Sequence, residues 1–165
     1  MTATSSALQL ADLALVWDET RGDADLVMID SDIASDAGLE TAILLSLFTD
    51  RRAQPDDVPP SGDPNDRRGW WADQFADVEG DLIGSRLWLL DRAKATNETA
   101  LRAREYALEA LQWLIDDGVA ASIDVATSII TLLGPQRRML ITITGTRPDG
   151  SPLTFRFAHV WDAMT

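Results

Sequence analysis

Cysteine is missing from all 165 residues, which excludes disulfides and thiolate metal sites. Histidine occurs once, at His159, so a Ser-His-Asp triad or a multi-histidine metal centre is hard to build, and that residue is expected to be structural or exposed. No apolar run approaches the roughly 20 residues needed to span a bilayer. Met1 opens a Ser/Thr/Ala stretch without a cationic start, so no secretory signal is expected and the chain reads as soluble. Basic residues are outnumbered: the formal charge is −13. Residues 1–50 hold ten acids and one arginine, and residues 51–165 hold seventeen acids and thirteen bases. Such a balance argues against nucleic acid as a partner, because binding phosphates needs a basic surface. A P-loop and other glycine-rich phosphate cradles are also missing.

What remains is enough to build one domain. Hydrophobic residues make up 45% of the chain, which supports a real core at this length. Residues 1–11 are small and polar and read as a flexible lead-in to a single domain over 12–165. Leu13, Leu15 and Trp17 alternate with polar or small residues, turn chemistry follows at 18–23, and Leu26 to Ile29 is apolar again. That pattern predicts an N-terminal β-hairpin.

About three helices come next. The first is predicted to start near Asp36 as N-cap, with Leu39, Ile43, Leu44, Leu47 and Phe48 on its inner stripe. A second is expected over Leu82–Ala95, and a third over Asn97–Asp116, capped by Thr96 and stopped by Gly118. The third should face inward with Leu101, Leu108, Leu111 and Ile115 and carry a Glu98–Arg102 pair outside. Ile123 to Ile129, Met139 to Ile143 and Leu153 to Phe157 alternate as strands, and Arg147-Pro148-Asp149-Gly150 reads as the turn of a hairpin. The sum is an α+β domain with helices packed on a mainly antiparallel sheet.

The densest chemistry lies between Leu39 and Trp71. The first helix pattern runs into Arg51-Arg52, a proline-rich loop near 54–66 follows, and Arg67-Arg68-Gly69-Trp70-Trp71 closes the segment. In so acidic a chain, Arg51, Arg52, Arg67, Arg68, Trp70 and Trp71 form either a contact surface or an intramolecular latch. The alternative placements are Trp70 and Trp71 capping the core, with the arginines bonding loop carbonyls. Asp56, Asp57, Asp63 and Asp66 lack the spacing of a calcium loop, so a solvated loop is expected and no metal or other cofactor is assigned. A glycosidase would need paired carboxylates near an aromatic platform. Asp73 or Glu79 near the tryptophans is the nearest approach, and nothing in the sequence fixes a catalytic pair. The reading is therefore a non-enzyme without catalytic residues.

Gly38-Leu39-Glu40-Thr41-Ala42, the run from Leu47 to Ala53, Arg67-Arg68-Gly69-Trp70-Trp71 and Gly84-Ser85-Arg86-Leu87-Trp88-Leu89-Leu90 stand in the order found in a Mu-like phage family. The chain resembles that family, the small baseplate wedge protein of contractile tails, over roughly residues 12–161. It is more distantly similar to the small wedge protein of T4-type baseplates, sometimes labelled lysozyme-like. The resemblance implies a structural protein of the virion baseplate, made and assembled in the bacterial host cytoplasm. Implied partners are larger wedge proteins, in six-fold copies around the tail, with the sheath and the tube or hub as further neighbours. A sheet edge would template the first sheath ring, and no membrane contact is implied. Two other classes stay open at this point: a peptidoglycan-cleaving lysozyme-like enzyme, and a soluble adaptor module outside the virion.

Overall fold

The computed structural model of the protein describes residues 38–76, 82–131 and 137–161, together with short strands between residues 12 and 36. The predicted lead-in at 1–11 lies outside the described residues, as does Glu79. In the N-terminal part, β1 (Asp12–Leu13) pairs with β6 (Ser35–Asp36), β2 (Leu15–Asp18) with β3 (Asp23–Leu26), and β4 (Met28–Ile29) with β5 (Asp32–Ile33), all antiparallel.

Helix α1 spans Leu39–Phe48. Its inner stripe is the expected one: Ile43, Leu44 and Leu47 are buried, with Leu39 and Phe48 packed against them. Its start differs from the expectation. Gly38, at φ 79°, is the N-cap, and Asp36 belongs to strand β6. The chain therefore turns into the helix through a left-handed residue, without a side-chain cap.

The helix expected over Leu82–Ala95 does not form. Only Leu87–Leu90 winds, as a single 3-10 turn that buries Trp88, Leu89 and Leu90. The reason lies just before it. Ser85 exchanges backbone bonds with the end of α1, its N–H donating to Thr49 O and its carbonyl accepting from Arg51 N–H, both at 2.9 Å. Its hydroxyl also bonds the Leu47 carbonyl. An extended residue committed to a neighbouring segment cannot also enter a helix. Gly84 makes the approach possible: it sits at φ 92°, and a Cβ there would lie 2.3 Å from Thr49 O.

Helix α2 covers Asn97–Ala110, with Thr96 Oγ1 accepting the Thr99 N–H at 3.2 Å as its cap. The chain then breaks at Leu111 and Gln112 and resumes as one turn, α3 (Trp113–Asp116), which Gly118 follows at φ 70°. The inward face expected for the helix over Asn97–Asp116 holds in part: Leu111 is buried and Leu108 packs against the core, whereas Leu101 and Ile115 are exposed. Ala103, Ala107, Ala110 and Tyr106 are buried as well. Small residues let the helix lie close to its neighbours, and close packing outweighs the larger side chain at Leu101. Arg102 donates to the Tyr106 hydroxyl at 3.0 Å instead of pairing with Glu98.

The C-terminal strands follow the predicted alternation. β7 (Ser122–Thr131), β8 (Arg137–Thr146) and β9 (Pro152–Trp161) form an antiparallel sheet in that order. Val125, Met139, Ile141, Ile143, Leu153 and Phe157 point into the core. The β8–β9 turn closes as expected, with Gly150 N–H donating to Arg147 O at 2.9 Å and Asp149 Oδ1 accepting the Ser151 N–H. Phe48 meets Phe157 edge to face at 6.0 Å, and Trp113 Nε1 donates to Ser46 Oγ at 3.0 Å, which tie α1 to the sheet and to α3. The observed class is α+β on an antiparallel sheet. His159 stands opposite Met139 in β9, and its side chain lies outside the described residues.

Candidate functional site

The segment from Asp50 to Phe75 leaves α1, loops out through the prolines and returns beside its own start. Backbone bonds set the return: Ala53 N–H donates to Arg67 O at 2.9 Å, and Asp57 N–H to Gln54 O at 3.0 Å. Arg67 then spans the loop's neck, its guanidinium donating to the carbonyls of Gln54 at 2.7 Å, Asp57 at 3.2 Å and Pro55 at 3.4 Å. Prolines lack the N–H for further ladder bonds along this loop, and one arginine with several donors adds to the closure.

Arg68 takes a different environment. Its Nη1 lies 2.8 Å from Asp50 Oδ2, with Asp66 and Asp91 just inside 4 Å, and its guanidinium stacks 4.4 Å from the centre of the Trp88 ring. Trp88 is in turn fixed by its indole N–H, which donates to Arg51 O at 2.8 Å. Asp91 feels this crowding. Burial pushes its carboxyl above the usual range, only partly opposed by Arg68, and nearby Asp50 adds to the rise. Arg68 also carries φ 44°, a left-handed conformation rare for an arginine, and Gly69 follows at φ 104°.

Arg51 and Arg52 part company. Arg51 is largely covered and points to Glu109 Oε1 at 3.9 Å. Arg52 is exposed, and among the described residues it has no ion-pair partner. Trp70 and Trp71 also lie at the surface, 44% and 72% exposed, with ring centres 5.8 Å apart. Trp71 opens a 3-10 turn over Trp71–Phe75, and Phe75 adds a third ring 6.3 Å from Trp71. The tryptophan pair therefore does not cap the core. Asp73, on the same turn, accepts the Ile83 N–H on Oδ1 at 3.2 Å.

The residue that sequence reasoning passed over is Arg86. It joins three parts of the chain at once. Nη1 bonds both Asp57 oxygens at 3.1 and 3.0 Å, Nε and Nη2 bond Glu109 Oε2 at 3.1 and 2.7 Å, and the guanidinium lies 4.6 Å from the Tyr106 ring centre. Burial alone would lower its pKa, but the bonds from Glu109 and Asp57 outweigh that and hold it above the ordinary arginine value. The Gly84–Leu90 stretch around it was visible as a motif; nothing local in it pointed to Asp57 or Glu109 as partners of its arginine.

The comparisons with known proteins fall on this same framework. The family model described as "Phage protein GP46" matches residues 39–152, from the first residue of α1 to the first residue of β9. The chain belongs to the GP46 family of Mu-like phage baseplate proteins. It is 43% identical over 155 residues to the "Baseplate protein gp46" of Escherichia phage Mu, which covers 94% of this chain and 100% of that protein. It is also 40% identical over 153 residues to the "Mu-like prophage FluMu protein gp46" of Haemophilus influenzae, over 92% and 98% of the two chains. The GP46 span holds the arginine loop, the aromatic turn and the Arg86 junction together. Among its described residues no helix is long and apolar enough to cross a membrane.

Proposed function

We propose that this chain is a structural component of the baseplate of a Mu-like contractile tail. The observation that carries the reading is the 43% identity to the Mu baseplate protein over 94% of this chain and 100% of that protein. The finer role is that of a small wedge subunit, packing with larger wedge proteins in six copies around the tail and lying near the tube or hub. The geometry is consistent with a rigid assembly part. Arg67, Arg68 and Arg86 join loop, helix and turn. Asp73, on the same turn as Trp71, accepts the Ile83 N–H on Oδ1 and so ties that turn to the chain ahead of the Arg86 junction.

Sheath templating is part of the same proposal, and the sheet suggests which edge serves it. β7 and β9 are the outer strands. Along β7, Arg104 of α2 donates from Nε to the Val125 carbonyl and from Nη2 to Asp124, both at 2.7 Å, and Thr127 Oγ1 bonds the Ala100 carbonyl. Because α2 occupies that strand, β9 is assigned as the one a sheath strand would extend by β-augmentation. Cryo-EM of assembled tails tests the whole reading. Density for this chain in the baseplate, with a partner strand along β9, is the expected result; a sheath strand pairing elsewhere would remove the templating role, and absence from the particle would remove the baseplate role.

A further inference from the structure

The three rings on the turn at 70–75 take no part in the core or in the ionic framework. Trp71 is 72% and Phe75 69% exposed, more than their bulk would suffer without a use. The contrast with Trp88 and Trp113 is instructive. Trp88 and Trp113 place their indole N–H groups on Arg51 O and Ser46 Oγ. Trp70 and Trp71 have no such partner among the described residues.

Arg52 belongs to the same surface. A Cβ built on Gly69 would come within 2.9 Å of the Arg52 Cβ, so the backbone leading to Trp70 lies directly on Arg52. That backbone is held in place. Arg67 O takes the Ala53 N–H, and Arg68, at φ 44°, is fixed by Asp50 and the Trp88 ring. Strained backbone kept by surrounding bonds is found where a surface must be presented in one geometry, and such preorganisation lowers the ordering cost of binding.

We propose that Arg52, Trp70, Trp71 and Phe75 form a docking surface for an apolar segment of another baseplate protein that carries a carboxylate for Arg52. The proposal rests on the baseplate reading and names the contact that reading needs. Charge complementarity selects the occupant: Arg52 is an exposed cation unpaired among the described residues, and a carboxylate beside apolar side chains is what pairs with it and covers the rings. A second copy of this chain is disfavoured, since each copy brings a formal charge of −13. Tryptophan and arginine are also the residues that dominate binding energy at interfaces.

The test uses tails assembled with variant full-length chains, quantified by mass spectrometry. The paired change Trp71→Ala and Phe75→Ala, and separately Arg52→Glu, should each lower incorporation at least tenfold, while Arg52→Lys retains most of it. Thermal melting of the free variants should match the wild type, because these side chains lie outside the core. Hydrogen exchange should show residues 69–76 protected in the particle and open in the free chain. Equal incorporation of the variants would overturn the surface and leave the baseplate reading standing; absence of the wild-type chain from particles would overturn both. A dimer in sedimentation that Trp71→Ala dissolves would make a second copy the occupant. Quenching of the exposed tryptophans by peptidoglycan fragments would make it a saccharide. Either result would overturn the proposal.

Discussion

Arg86 Nη1 lies 3.0 Å from Asp57 Oδ2 while Nη2 lies 2.7 Å from Glu109 Oε2, so one guanidinium fastens the proline-rich loop to helix α2. The side chain is mostly covered, which makes its bonds worth more than those of a surface pair. Replacing it leaves two carboxylates facing each other. Arg86→Ala should therefore lower stability by about 2–3 kcal/mol, the range for hydrogen bonds to charged groups with a partly buried partner left behind. Arg86→Lys should recover little, because a single ammonium cannot span both acids. Urea denaturation checks this, and a loss below about 0.5 kcal/mol, the level of an ordinary surface change, would show that the junction does not hold the loop.

Gly84 and Thr49 set a second expectation. A methyl group at Gly84 would overlap the Thr49 carbonyl at 2.3 Å, in a backbone conformation that side chains disfavour. Gly84→Ala should cost about 3 kcal/mol, since neither the strain nor the clash with backbone can relax cheaply. Circular dichroism melts would show a lowered midpoint; an unchanged one would mean that the Asp50–Ser85 bridge is dispensable.

Asp91 offers a test by pH. Burial raises its carboxyl in the folded protein, so the folded state holds that proton more tightly than the unfolded chain does. Its contribution is therefore favourable below the unfolded value near 3.8 and is lost as pH rises through the raised folded value. Asp91→Asn should melt higher than the wild type at pH 7, and the two should converge as pH falls below the ordinary carboxylate range. A gain that persists undiminished in acid would point to packing and not to charge.

Much of this was legible because periodicity reports one-sided burial. Val125, Ile141, Ile143 and Phe157 alternate with polar residues, and each lies in the core. The stripe of Ile43, Leu44 and Leu47 was equally plain. The error at Leu82–Ala95 came from reading apolar spacing without the tertiary bond that Ser85 makes to Thr49 and Arg51, a contact between residues more than thirty positions apart. Leu101 misled because size was taken for burial, whereas the alanines beside it pack closer. In the candidate site, residue types drew attention to both arginine pairs and both tryptophans. Type alone cannot divide them into Arg67, which ties carbonyls, Arg68, which stacks on Trp88, and Arg52, which faces solvent. Arg86 stayed hidden for the same reason: its partners, Asp57 and Glu109, are 29 and 23 residues away.

Arg104 bears on how the sheet treats its own edge. An outer strand exposes backbone groups that invite pairing with other chains, and proteins commonly cover such edges. Here Arg104 engages the Val125 carbonyl and Asp124 of β7, and the bond from Arg104 is the main reason the Asp124 carboxyl lies below its usual value. Arg104→Ala should thus raise the Asp124 pKa towards that of a free aspartate, which NMR titration measures directly. Losing the bond to the Val125 carbonyl should cost about 1 kcal/mol. With the carbonyl uncovered, β7 should also self-associate, seen as concentration-dependent light scattering that the wild type does not show. Incorporation into tails should survive, because the strand assigned to the sheath is β9. A variant that stays monomeric yet fails to support sheath assembly would move that assignment to β7.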